Sequence, residues 1–131
     1  MKEPLKFFLI AGEPSGDLHG AKLIRAIKSL QPLSSFMGHG GYLMEKEGMK
    51  IVEYCNNLSV MGFKEVVIHL PRIWTIMKNT ITLVKKVKPD RIILIDYPGF
   101  NLRFAKNISK YGIPISYFIL PQAWAWKSKR V

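Results

Sequence analysis

Glu13, Ser15 and Asp17 crowd into one turn, AGEPSGD at residues 11–17, between an apolar stretch and a helical pattern. A strand, a glycine-bearing turn and a helix are the build of a phosphate loop. The side chains are wrong for phosphate. A Walker A loop brings Gly-Lys-Ser/Thr into the helix so that ammonium and hydroxyl meet phosphate and magnesium, and here the helix begins SGDLHG. Gly12, Gly16 and Gly20 lack the spacing of a dinucleotide fingerprint. Two carboxylates at this turn would repel a pyrophosphate, yet they suit a helix N-terminus and accept hydrogen bonds from hydroxyls. A sugar is the better guest. Capping by Ser15 or Asp17, with Gly16 making the turn, accounts for Asp17 and leaves Glu13 unexplained.

Asp96 closes the most apolar stretch of the chain, RIILID at 91–96. A carboxylate at the end of a buried strand faces the ligand crevice, and desolvation raises its basicity. That makes Asp96 the strongest candidate for a general base; an aspartate that merely organises the turn competes with this reading. Pro98 and Gly99 turn the chain, and Asn101 is placed to cap the next helix or to bond a ligand. In PQAWAWK, 121–127, Gln122 offers hydroxyl contacts, and Trp124 and Trp126 offer faces for sugar C–H groups, although paired tryptophans more often pack. His19, His39 and His69 have no metal-ligand spacing, and His19 is only a weak candidate near the first loop.

The elements that must hold these residues alternate. Strand patterns fall at 5–11, 35–38, 49–54, 91–96 and 113–120, and helical patterns at 17–30, within 40–48, at 62–70, 71–88 and 100–111. Pro71 is expected to separate two helices. Strands apolar on both faces predict an α/β fold: a Rossmann-like parallel sheet with helices on both faces, binding ligands beyond the carboxyl ends of its strands. Residues 12–17, 96–101 and 121–127 all follow apolar strands.

The 131 residues suit one modest domain. The net charge of +11 is lopsided: residues 1–63 carry seven Lys/Arg and six Asp/Glu, whereas 64–131 carry thirteen and three. A basic half attracts nucleic acid, anionic lipid or phosphorylated substrates, or is merely a solvated face. Cys55 is the single cysteine, which excludes an internal disulfide framework and fits a reducing compartment. The first apolar run is too short for a signal peptide, and no run approaches a membrane span. A cytoplasmic protein is expected. Residues 66–88 combine Val66, Val67, Leu70, Ile73, Trp74 and Met77 with Arg72, Lys78, Lys85, Lys86 and Lys88, a mixture suited to an anionic lipid surface or to two ordinary core helices.

Several stretches together resemble one family. AGEPSGDLHGAKLIRAIK is similar to the Ala-Gly-Glu-x-Ser-Gly-Asp opening of the lipid-A-disaccharide synthases, GHGGYLMEKEGM to their Gly-x-Gly-Gly-x-x-Met, and LSVMGFKEVV to their Leu-x-Val-Met-Gly-x-x-Glu-Val. KPDRIILIDYPGFNLRFAK and PQAWAWKSKRV resemble two later signatures, so the likeness runs in order along essentially the whole chain. Tyr42 replaces a frequent Pro, Gly99 a frequent second Asp, and Leu120 a usual Ser; Gly99 concentrates the base role on Asp96.

The resemblance implies an inverting glycosyltransferase of the two-domain GT-B type. Residues 1–131 would be its N-terminal acceptor-side domain, with the C-terminal nucleotide-sugar domain absent and the fragment alone inactive. The reaction implied transfers 2,3-diacylglucosamine from its UDP donor to 2,3-diacylglucosamine 1-phosphate, giving the β(1→6) disaccharide of lipid A and UDP. Asp96 or Glu13 would be the base, Ser15, Asn101, Gln122 and Trp124 would bind substrate, and Val66, Leu70, Ile73 and Trp74 would meet membrane or acyl chains. No metal, cofactor or nucleic acid is implied, and the location would be peripheral, on the cytoplasmic face of the inner membrane of a Gram-negative bacterium. The rival reading is a basic α/β module that binds nucleic acid or anionic lipid without catalysis.

Overall fold

The computed structural model describes residues 4–55 and 63–118, with side chains throughout except at 63–70. Five strands, β1 (Lys6–Ala11), β2 (Ser35–Gly40), β3 (Lys50–Tyr54), β4 (Arg91–Ile95) and β5 (Ile115–Phe118), form one sheet in the order β3-β2-β1-β4-β5. Every pairing is parallel. The helices are α1 (Pro14–Leu30), α2 (Tyr42–Lys46), α3 (Phe63–Val87) and α4 (Pro98–Ile108), the last followed by a 3-10 turn at Ser109–Tyr111.

The two-residue period of the central strands sorts the core. Phe8, Ile10, Ile92 and Leu94 pack on one face with Ile76 and Val84 of α3 and Phe100, Phe104 and Ile108 of α4. Leu9, Ala11, Ile93 and Ile95 pack on the other with Ala21 and Ile24 of α1 and Met44 of α2. Helices thus cover both faces, which is why β1 and β4 read as nearly unbroken apolar runs.

β2 runs on to Gly40 and α4 starts at Pro98, each two residues beyond expectation, and two further differences have a clear cause. Helix α1 starts at Pro14 rather than at residue 17, because proline is tolerated in the first turn, where its missing N–H has no intrahelical partner anyway. Helix α3 runs through Pro71 instead of breaking there. Ile73, Ile76, Met77, Thr80, Ile81 and Val84 keep one stripe against the core, and burying it offsets a single lost helical bond.

Candidate active site

Strand order reverses between β1 and β4, and that is where an open parallel sheet forms its crevice. Ala11 is paired with Ile95, so the turns carrying Glu13 and Asp96 leave the sheet side by side. Glu13 is exposed and Asp96 half-buried. The two turns are tied by a ring on a glycine: a Cβ added to Gly12 would stand 2.3 Å from Cδ2 of Tyr97. Only glycine lets Tyr97 lie so close. Burial, and then the Glu13 carboxylate, raise the Tyr97 phenol above its ordinary pKa. Burial, and then Asp96, push Tyr117 up to about 12. Each carboxylate therefore has a phenol within its field.

The Asp96 turn is held in an uncommon conformation. Asp96 has φ 46° and Tyr97 φ 51°, successive left-handed residues that are not glycine. Such backbone persists where its surroundings over-determine it. Here the Asp96 carbonyl accepts from Asn101 Nδ2 at 2.8 Å and from the Tyr117 hydroxyl at 2.7 Å, filling both lone pairs. The Asp96 N–H donates to Phe118 O at 3.2 Å. Asn101 is fully buried, and its amide also reaches Ile10 O at 3.3 Å and Ile95 O at 3.4 Å. It stitches the ends of β1 and β4 to α4. It is not the cap of α4, a place held by Tyr97, and with no exposed surface it sets the turn that carries Asp96.

The carboxylates of the first turn divide their work. Asp17 is 6% exposed and accepts from the N–H groups of Gly41 at 2.9 Å, Met44 at 2.9 Å and Leu43 at 3.1 Å. It caps α2, across space, rather than the helix it belongs to. Glu13 is the N-cap residue of α1 but makes no side-chain cap bond. One acid is structural, and the other is exposed and makes no cap bond. Ser15 is exposed in the first turn of α1.

Other expected residues fall as follows. Gly99 faces open space, so the aspartate frequent at this position would fit without displacement. Trp74 is 60% exposed, whereas Ile73 packs partly on the core. The side chains of Val66, Leu70 and His69, and all of Leu120, Gln122, Trp124 and Trp126, lie outside the described residues. His39 is a core residue: its Nε2 meets Thr80 Oγ1 at 3.0 Å, and desolvation lowers its pKa to about 4. No three His, Cys, Asp or Glu side chains among the described residues are grouped to hold a metal.

Tyr97 and Tyr117 escaped the sequence reading. Tyr97 adjoins Asp96 in IDYPGFN, and that adjacency is the signal that could have found it. Tyr117 reaches Asp96 only through the β4–β5 pairing, which no local pattern encodes.

With this geometry in hand, comparison with known proteins decides the family. A family model described as lipid-A-disaccharide synthetase matches residues 7–131. The chain belongs to that family. It is 39% identical over its whole length to the lipid-A-disaccharide synthase of Myxococcus xanthus, covering 34% of that protein. It is 41% identical to the enzyme of Syntrophotalea carbinolica, again over the whole chain and 34% of the relative. Over 94% of the chain it is 42% identical to the enzyme of Coxiella burnetii, covering 33% of it. The chain thus spans about a third of the length of these lipid-A-disaccharide synthases. The α/β sheet described above is its form of the family's Rossmann-like fold.

Proposed function

We propose that this chain belongs to the acceptor-side, N-terminal part of a lipid-A-disaccharide synthase of the GT-B type. The reaction joins 2,3-diacylglucosamine from its UDP donor to 2,3-diacylglucosamine 1-phosphate through a β(1→6) bond and releases UDP. The observation that carries the reading is the convergence of Glu13 and Asp96 at the β1/β4 reversal, with Asp96 set by a two-donor grip on its carbonyl.

Asp96 takes the proton of the acceptor 6-hydroxyl. The freed oxygen lone pair forms the bond to the donor's anomeric carbon from the face opposite UDP, and the C–O bond to UDP breaks with its electrons staying on the diphosphate. Inversion at the anomeric carbon follows from that geometry. Glu13 and Ser15 bind and orient sugar hydroxyls, Glu13 being the competing base. Gln122 and Trp124 are assigned to substrate binding on their motif alone, and Asn101 acts through the Asp96 turn. The nucleotide is held by the part of the family's length that this chain does not span.

The substrate's acyl chains require an enzyme that works at a membrane surface. No helix among the described residues is long and apolar enough to cross one. Exposed Trp74, with Val66, Leu70, Ile73 and the neighbouring Arg72 and Lys78, supplies peripheral contact with the cytoplasmic face of the inner membrane. The test is an assay of a protein of the family's full length carrying this chain, supplied with UDP-2,3-diacylglucosamine and 2,3-diacylglucosamine 1-phosphate in mixed micelles. Disaccharide and UDP in equal amounts support the reading. Hydrolysis of the donor without disaccharide, or no reaction, refutes it.

A further inference from the structure

A second concavity lies beside the crevice, on the α1–α2 side of the sheet. Pro14, Asp17, Gly41, Tyr42, Tyr54 and Cys55 line it, and it holds about 170 Å³. That is several times the space of one water and of the order of one hexose ring. Its walls are aromatic. The rings of Tyr42 and Tyr54 stand 5.3 Å apart at an interplanar angle of 40°, and Tyr42 is 70% exposed, an unusual outlay of aromatic surface. The neighbouring Leu18 and Leu43 are each 44% exposed.

The polar groups at this groove are anionic or already committed. Both oxygens of the Asp17 carboxylate accept backbone N–H groups. The Tyr54 hydroxyl donates to Glu45 Oε2. Glu13 and Ser15, on either side of Pro14, are exposed. Among the described residues, no lysine or arginine lines the cavity. A phosphate or carboxylate ligand would meet acids there and, among the described residues, no cation. A fully apolar chain would strip water from the carboxylates on the rim. A neutral hydroxylated ring escapes both penalties, because its C–H face lies on an aromatic ring while its hydroxyls donate to carboxylates.

We infer that the groove between Tyr42, Tyr54 and Pro14 is a subsite for the neutral face of a hexosamine ring, with Tyr42 as the stacking platform. Which sugar enters rests on the proposed function: there it is the acceptor glucosamine, held so that its phosphate points away from the acidic rim and its hydroxyl edge faces the Glu13 turn. Tyr42 then sets acceptor affinity without touching the reacting atoms.

The experiment uses methyl N-acetyl-β-glucosaminide, a neutral hexosaminide without phosphate or long acyl chains, with saturation-transfer NMR on the full-length protein. Ring C–H protons of the probe receive saturation from the wild type. Tyr42→Ala weakens binding about tenfold, the scale of one lost aromatic contact, and Tyr42→Phe restores it. Because Tyr42 is mostly exposed, the fold tolerates both changes. Equal binding by wild type and Tyr42→Ala, displacement of the probe by decanoate, or stronger binding of glucosamine 6-phosphate than of the neutral probe each overturns the subsite. Tyr42-dependent probe binding in a protein that makes no disaccharide upholds the subsite and refutes the proposed reaction. Disaccharide synthesis with probe binding indifferent to Tyr42 does the reverse.

Discussion

Glu13 and Asp17 sit four residues apart on one turn and meet opposite fates, decided by what each can reach. Asp17 finds three unpaired N–H groups at the start of α2 and is buried on them. Glu13 finds none, stays exposed and acts on Tyr97 through its charge. The same logic isolates Tyr117. Its phenol, pushed up to about 12, keeps its proton at every physiological pH and so always donates to the Asp96 carbonyl. Tyr117→Phe removes one of the two donors that hold Asp96 at φ 46°. We expect kcat to fall about tenfold, the worth of roughly one hydrogen bond, with KM nearly constant; an unchanged kcat would show that Asn101 suffices alone. His39 makes a separate prediction. The Thr80 hydroxyl gives its proton to Ile76 O, so His39 Nε2 must be the donor in their contact, and desolvation keeps the ring neutral. Its folded pKa, about 4, lies below the ordinary 6.5. Between these values the unfolded chain binds the proton and the folded one does not, so stability is full above about pH 6.5 and is lost as pH falls toward 4. The loss is on the order of 3 kcal/mol. Urea unfolding at a series of pH values should show this slope, and His39→Gln should flatten it.

At the scale of elements, α2 is the part that depends most on a single contact. It has five residues, too few to persist on propensity, and its first N–H groups are held by Asp17. Asp17→Ala should cost about 2 kcal/mol, more than an ordinary exposed cap, because the orphaned groups are buried. Asp17→Asn, which keeps one acceptor oxygen, should cost less; equal unfolding midpoints for wild type and Asp17→Ala would contradict the capping role. The sequence announced this helix through its short pattern and announced Asp17 as a cap, but for the wrong helix, since a cap that acts across 24 positions leaves no local signature. The strands were legible because double-sided burial leaves long apolar runs, as in KFFLIA and RIILI. Pro71 misled, because a proline reads as a break wherever the tertiary stripe that outweighs it cannot be seen. Strand-end position marked Glu13 and Asp96 as candidates, and the structure sets their turns side by side. Asn101 looked like a ligand contact because a polar residue at a helix start carries the same signature whether it faces solvent or, as here, the core. On α3, Trp74 stands 60% exposed. Trp74→Ala should weaken binding to vesicles containing anionic lipid severalfold without shifting the unfolding midpoint. Undiminished binding would remove α3 from the membrane contact.

Over the whole molecule, the fold brings the candidate turns to one edge of the sheet, and positive charge lies along the second half of the chain. The parallel sheet sends every strand toward the same edge, and the reversal between β1 and β4 opens the crevice between Glu13 and Asp96. The net charge divides as +1 over residues 1–63 and +10 over residues 64–131, a distribution that, on the proposed function, would draw the basic half toward an anionic surface and leave the acidic turn to neutral hydroxyls. Glycosyl transfer at such a surface needs both features, and its chemical step needs one base. The most direct measurement is single-turnover kcat of the full-length enzyme with Asp96→Asn beside Glu13→Gln, each checked for acceptor binding and unfolding midpoint. The account predicts that Asp96→Asn lowers kcat by roughly 10²–10⁴-fold, the usual cost of a lost general base, with binding and stability nearly unchanged and Glu13→Gln less damaging. Near-normal kcat in both variants would contradict it.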